Sequence, residues 1–404
     1  MSKIDELIHE YCPDGAEWKK LGDVCDTVTD YVAAGSFADL KKNVPYLATP
    51  DYALLVRTMD IKNGFTSSHP VYISESAFKY LWRVNLDREC IVLPNIGNCG
   101  EVYYIDPKKL PYKHNALATN AILLRSTEVM VRYLYYFFLT PLFQKQLEKI
   151  TSKVGQGKFN KTDLKKLDIP VPPLPVQQEI VRILDSFTAL QDELQKELEE
   201  RKKQFEHVRD QLMNNGSDVI LSDVAEYSKG RVSASEMTTE NYVGVDNLLQ
   251  NKAGKVSATF VPAKGNVIRF ERNDILIGNI RPYLKKIWLA DTNGGTNGDV
   301  LCIHVLDSSS VNPRYLYFVL SSDAFFAYDT VNVRSSGKMP RGDKESVMKY
   351  SFTLPSLQEQ NDIVRKLESM SEYIYDAIPE ELSLRQQQYS YYRDKLLSFP
   401  RKEA

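Results

Sequence analysis

The sequence predicts an α+β protein: two α/β globular domains separated by an antiparallel pair of long coiled-coil helices, with a pseudo-two-fold internal repeat. Three observations carry that expectation. RYLYYFFLT from Arg132, followed by VGQGKFNKTDLKKLDIPVPPLPVQQEIVRIL, returns about 180 residues later as RYLYFVLSS from Arg314, then VRSSGKMPRG and FTLPSLQEQNDIVRKL. Each IVRxL opens a long helical pattern with a shared close: Arg201, Gln204, Phe205, Arg209, Asp210 and Leu212, answered by Arg385, Gln388, Tyr389, Arg393, Asp394 and Leu396. Between these landmarks the copies diverge, so a framework repeats while its interior does not. One polypeptide thereby acquires an approximate two-fold axis like that of a homodimer.

The opening MSKIDELIHEY is acidic and amphipathic, which predicts a helix ahead of the first domain rather than a basic leader with an apolar core. Both globular stretches, roughly residues 13–166 and 218–350, mix short β-branched and aromatic runs with Gly, Asn and Pro. They open alike, with Leu21, Asp23 and Val24 matched by Leu221, Asp223 and Val224. Strands are expected over Glu89–Pro94 and Ala121–Leu124, answered by Asp274–Gly278 and Val300–Val305; Arg132–Leu139 and Arg314–Leu320 read as helices whose aromatics belong to the core. After the proline-rich stop IPVPPLP, Pro175 suits a first helical turn. Apolar residues then recur at Val176, Ile180, Ile183, Phe187, Leu190, Leu194, Leu198, Phe205, Val208 and Leu212, a coiled-coil seam with a stutter near Leu194 and with Arg201 inside it. Roughly 38 residues would extend about 57 Å before Asn214, Asn215 and Gly216 end the helix. In the second copy Leu357, Val364, Leu367, Met370 and Ile374 start the pattern, Pro379 must break or kink it, and Leu382, Tyr389, Tyr392 and Leu396 continue the face, so two helices in tandem are expected. The implied boundaries are 1–171 for the N-terminal helix and first domain, 172–215 for the first long helix, 216–353 for the second domain, and 354–404 for the second helix, kinked near Pro379.

The 404 residues carry 51 basic and 53 acidic side chains, a net charge of −2 that argues against a nucleic-acid partner until it is divided by segment. Residues 175–213 hold about 9 acidic and 6 basic groups and residues 356–398 about 8 and 5, so the remainder is mildly basic. The globular parts can meet phosphate; the helices are unsuited to lie along DNA. Five cysteines without a CxxC indicate neither a zinc site nor a disulfide framework, and reduced cytoplasmic thiols are expected. The five histidines show no ligand spacing, and the longest apolar run, from Tyr133 to Leu139, is far too short to span a bilayer.

The opening PDGAEWKKLGDVC, the paired helix starts PPLPVQQEIVRIL and LPSLQEQNDIVRKL, the twice-used R-x-x-Q-aromatic-x-x-x-R-D-x-L close, and the duplicated order of globular unit then helix together resemble the specificity subunits of type I restriction-modification systems. The resemblance spans essentially the whole chain. It implies two target-recognition domains, each reading one half of a bipartite asymmetric double-stranded DNA sequence, and an antiparallel helical spacer that binds two modification (methyltransferase) subunits, often with restriction subunits beside them. It implies no catalysis and no cofactor in this chain, S-adenosylmethionine belonging to the methyltransferase. Pro379 departs from the symmetry of the two arms.

Candidate DNA contacts cluster in polar loops. The dipeptides Gly157-Lys158 and Gly337-Lys338 precede each spacer helix, with Lys153, Gln156 and Lys161 near the first and Arg334, Ser335 and Arg341 near the second; such loops suit phosphate clamping. GNIRPYLKK supplies Arg281, Tyr283, Lys285 and Lys286, and its counterpart LPNIGNCG supplies Asn95 and Asn98; arginine can address guanine and asparagine adenine in the major groove. Lys229 and Arg231 join them. Asn120 and Asn297, each after a threonine, recur in both copies and so are expected to hold turns. Arg209 and Arg393 with their aspartate neighbours read as structural pairs. Neither GxxxxGK[ST] nor [DN]PP[YF] occurs, so neither nucleotide hydrolysis nor base methylation has a site. Pro50-Asp51 with Asp60-x-Lys62 mimics a nuclease triad, but its short spacing makes Asp51 and Asp60 loop residues on this reading. The alternatives are a structural coiled-coil adaptor and a stand-alone nuclease.

Overall fold

The computed structural model describes residues 3–153, 155–334 and 339–402. The chain divides into two compact units, Met1–Glu193 with Leu382–Ala404, and Leu194–Glu381.

In the first unit a four-stranded antiparallel sheet runs in the order Thr27–Asp30, Ala121–Arg125, Cys90–Pro94, Tyr103–Ile105. Its central strands, CIVLP and AILLR, are buried along their whole length, which is why they read as continuous apolar runs rather than alternating ones. One face packs on the aromatic helix Val131–Phe138, whose Tyr133, Leu134, Tyr136, Phe137 and Phe138 are buried core residues, as their helical spacing implies. The other face packs on a smaller sheet of Ala53–Val56, Tyr72–Ile73 and Asn115–Leu117. A separate ribbon pairs Glu17–Lys20 with Asp168–Val171.

The second unit repeats this plan. Ala225–Tyr227, Val300–Val305, Ile275–Gly278 and Ile287–Leu289 form the sheet in that order, Pro313–Leu320 is the aromatic helix, and Ser217–Ile220 pairs with Ser351–Leu354. The duplication extends to single hydrogen bonds. Tyr133 Oη donates to Pro170 O at 3.1 Å and Tyr315 Oη to Thr353 O at 2.8 Å. Gln177 accepts from the Met130 amide and donates to Pro172 O; Gln360 accepts from the Asn312 amide and donates to Pro355 O. Both glutamines are buried, so each must satisfy a backbone donor and a backbone acceptor where the long helix begins.

The first long helix is Leu174–Leu212, 39 residues, with Pro175 in its first turn. Val176, Ile180 and Leu184 are buried in the first unit, where Phe187 stacks on Tyr392 at 5.5 Å and the Gln191 amide donates to Gln386 at 2.9 Å. Numbers rise on one helix and fall on the other, so the two run antiparallel there. Tyr389 meets Tyr136 edge-on, while in the second unit Phe205 packs against Phe318 at 6.3 Å and Arg209 donates to Ser321 O. The close of each helix copy therefore packs on the aromatic helix of the other copy, an exchange that a linear reading of the repeat does not disclose. Arg201 is half exposed; the arginine buried in this helix is Arg209, 1% exposed and paired with Glu206 and Asp210. At the second helix, Leu357–Glu372 and Ile378–Leu396 are joined by a π turn over Tyr373–Ala377. Pro379 has no N–H to offer the Tyr375 carbonyl, and the ladder widens instead of breaking.

Candidate nucleic-acid interface

Register places the polar loops. In the first unit Asp30 lies opposite Ile122, Pro94 opposite Ala121 and Val92 opposite Tyr103, so the segments after Asp30 and Pro94 and before Ala121 and Tyr103 leave the same end of the sheet. There the Asn95 amide donates to Asn120 O at 3.1 Å, Phe159 N–H donates to Asn95 O at 3.1 Å, and Gly97 N–H donates to Gly157 O at 2.9 Å. Ile96 bridges to Lys158, lacing the two candidate loops together. In the second unit Asn279 N–H donates to Asp299 O at 2.9 Å, Gly342 N–H to Asn279 O at 3.2 Å and Arg281 N–H to Pro340 O at 2.8 Å, and Ile280 bridges to Arg341. The same weave recurs at the same sheet end. Lys158 and Arg341 thus hold matching places opposite Ile96 and Ile280; Lys338, the counterpart of Lys158 by sequence context, lies outside the described residues with Ser335 and Gly337.

Side chains at these ends differ in availability. Lys153, Gln156 and Lys158 are exposed, and neither lysine pairs with an acid among the described residues. Lys161 is held by Asp30 at 2.7 Å. Asn95 donates to Phe159 O at 3.4 Å and Asn98 to Glu101 at 3.4 Å, so both amides are turned toward the loop framework. In the second unit Arg231 and Tyr283 face solvent, Tyr283 being 52% exposed, while Lys229 is held by Glu226. Lys285 pairs with Asp323 at 2.9 Å, Lys286 donates to Val245 O at 2.7 Å, Arg341 pairs with Asp299 at 2.9 Å, and Arg334 pairs with Asp343. Arg281 adopts φ 55°, with its Nε buried and without a partner. Asn120, at φ 67°, and Asn297, whose carbonyl and side chain take the Val300 and Asp299 amides, both hold turns. Sequence reasoning missed Asp329. This carboxyl, 0% exposed, lies against Gly342 near Asn279 with neither oxygen partnered, and burial pushes its pKa up to about 7.

The nuclease-like constellation is not assembled. Asp60 is no loop residue: it sits in the helix Thr58–Lys62, buried, and accepts from Arg57 Nε at 2.8 Å and Nη2 at 2.6 Å, while Lys62 pairs with Glu101. No cluster of metal-ligating side chains occurs among the described residues, and no helix among them is long and apolar enough to cross a membrane.

The family model for the type I restriction modification DNA specificity domain matches residues 13–202 and again 216–384. The chain belongs to this family. Members recognise DNA targets and are not themselves enzymes. The specificity subunit of an Escherichia coli type I restriction enzyme is 27% identical over 317 residues, covering 69% of this chain and 73% of that one. A Salmonella potsdam specificity subunit is 19% identical over 359 residues, covering 80% and 76%. Two solved structures share the fold: the Mycoplasma genitalium S subunit, TM-score 0.53 at 15% identity, covering 95% of this chain and 96% of that one, and a chain from a type I restriction-modification system, TM-score 0.60 at 14% identity, covering 95% and 98%. The two matched segments of the specificity family each contain one sheet end with its laced loops.

Proposed function

We propose that residues 1–171 and 216–353 are two target-recognition domains, each reading one half of a split, asymmetric sequence in double-stranded DNA, with the helices of residues 172–215 and 354–404 setting the spacing. The helices also dock two methyltransferase subunits, which supply S-adenosylmethionine, and restriction subunits join them in the cytoplasm. The observation that carries this reading is the repeated weave with unlike side chains. Ile96–Lys158 and Ile280–Arg341 are equivalent bridges, yet the first presents Lys153, Gln156 and Lys158 and the second Arg281, Tyr283 and Arg341. Lysine and arginine on loops suit phosphate positioning and, for arginine, guanine readout.

The test is methylation of genomic DNA by the chain purified with its modification partner. The expected result is adenine methylation confined to one split motif and lost when this chain is omitted. Methylation that is independent of this chain, or of no defined sequence, overturns the reading. A purely structural adaptor would instead bind protein without the steep salt-dependent competition by mixed-sequence DNA expected of phosphate contacts.

A further inference from the structure

The loop carrying Arg281, Tyr283, Lys285 and Lys286 is an unfavourable piece of backbone. Arg281 (φ 55°) and Lys285 (φ 51°) are left-handed without being glycine, and so are Asn251 (φ 55°) and Lys252 (φ 63°) in the segment beside it. Such residues persist only where their surroundings impose them. Two backbone bonds lace the segments: Asn251 N–H donates to Leu284 O at 2.9 Å and Lys252 N–H to Lys285 O at 2.8 Å.

A chain of ion pairs then fastens them. Asp323, in the first turn of the helix Asp323–Val331, accepts from Lys285 Nζ at 2.9 Å and from Lys252 Nζ at 2.8 Å through the same oxygen. Lys252, its side chain only 14% exposed, also reaches Glu206 of the long helix at 2.9 Å, and Glu206 pairs with the buried Arg209. Partial burial works against the Asp323 carboxylate, but the two ammonium groups outweigh it and hold its pKa down to about 2, so it is an anion throughout the working range. The first domain braces its equivalent loop by other means: Gln144, a neutral amide, donates to Gly100 O at 3.0 Å and to Phe138 O at 2.8 Å.

We infer that Asp323 and Lys252 are positioning residues for one half-site: they hold the Arg281–Lys286 loop in its left-handed form and tie it to the end of the long helix. Neither touches the bases. This rests on the proposed reading of the second domain, and it makes the two domains unequal, one loop braced by charge and the other by an amide.

The test has two readouts on the full chain. Hydrogen exchange of the Asn251 and Lys252 amides reports the brace without any DNA; Asp323→Asn and Lys252→Met should each speed it by about tenfold or more, with Asp323→Glu near wild type. Unchanged exchange overturns the brace. With the modification partner, methylation of DNA pools randomised at one half-site or the other should lose about tenfold in discrimination at a single half-site, the same one for both variants, with the other half-site unchanged and Asp323→Glu restoring it. Loss at both half-sites, as misfolding would produce, or at neither, overturns the positioning role. A wild-type complex that methylates no split sequence while the exchange result holds would instead sink the functional reading and leave the brace standing.

Discussion

Asp329 shows at the scale of one residue what burial without a partner does. Its pKa of about 7 stands above the ordinary 3.8 because the charged form has lost its water and gained no donor. Between those values the folded chain keeps a proton that the unfolded chain has released. Stability from this group is therefore full below about pH 3.8 and is lost as the pH rises through 7. Asp329→Asn removes the dependence while keeping the shape, so the variant should gain on the wild type as the pH rises, by an amount on the order of a few kcal/mol at pH 8. Urea unfolding at pH 5 and pH 8 measures it; an equal difference at both would refute the assignment. Gln177 and Gln360 illustrate the opposite state, buried amides with both functions engaged at matched places in the two copies. Their match was visible as a repeated glutamine, but its reason, a backbone amide and carbonyl otherwise orphaned, belongs to the packed structure.

Among the elements, the second helix is where local rule and tertiary demand compete. A proline inside a helix costs about 3 kcal/mol, yet Ile374 and Ile378, on either side of the junction before Pro379, are both buried. The π turn over Tyr373–Ala377 inserts one residue and lets both isoleucines keep their sites. Pro379→Ala should accordingly leave the turn in place and change stability by less than about 1 kcal/mol; a gain near the full 3 kcal/mol would mean that proline alone strained the helix. Thermal and urea melts of the variant distinguish these. The helix Leu174–Leu212 followed its apolar seam closely, because a 3.6-residue period depends only on neighbours along the chain. Arg209 pairs with Asp210 as its sequence context implies, while its burial and its contacts with Glu206 and Ser321 belong to the packed structure.

For the whole molecule, the proposed function makes the helices a ruler. Inserting one turn of four residues into each arm, near Leu194 and near Leu382, adds about 6 Å of rise and should lengthen the unread gap by roughly two base pairs while both half-site sequences stay the same. Sequencing of methylated DNA reads the outcome directly. An altered half-site sequence, or an unchanged gap, would separate the helices from the spacing.

The duplicated framework, the long helix, the buried central strands and the family itself were legible in the sequence, since each rests on periodicity, apolar runs or motif spacing along the chain. The packing of each helix close on the aromatic helix of the other copy, the matching places of Lys158 and Arg341, and the brace from Glu206 through Lys252 and Asp323 to Lys285 were decided only by the tertiary structure. These contacts join residues dozens to hundreds of positions apart, and a charge or an amide shows no pattern in one dimension that reveals which distant group will neutralise it.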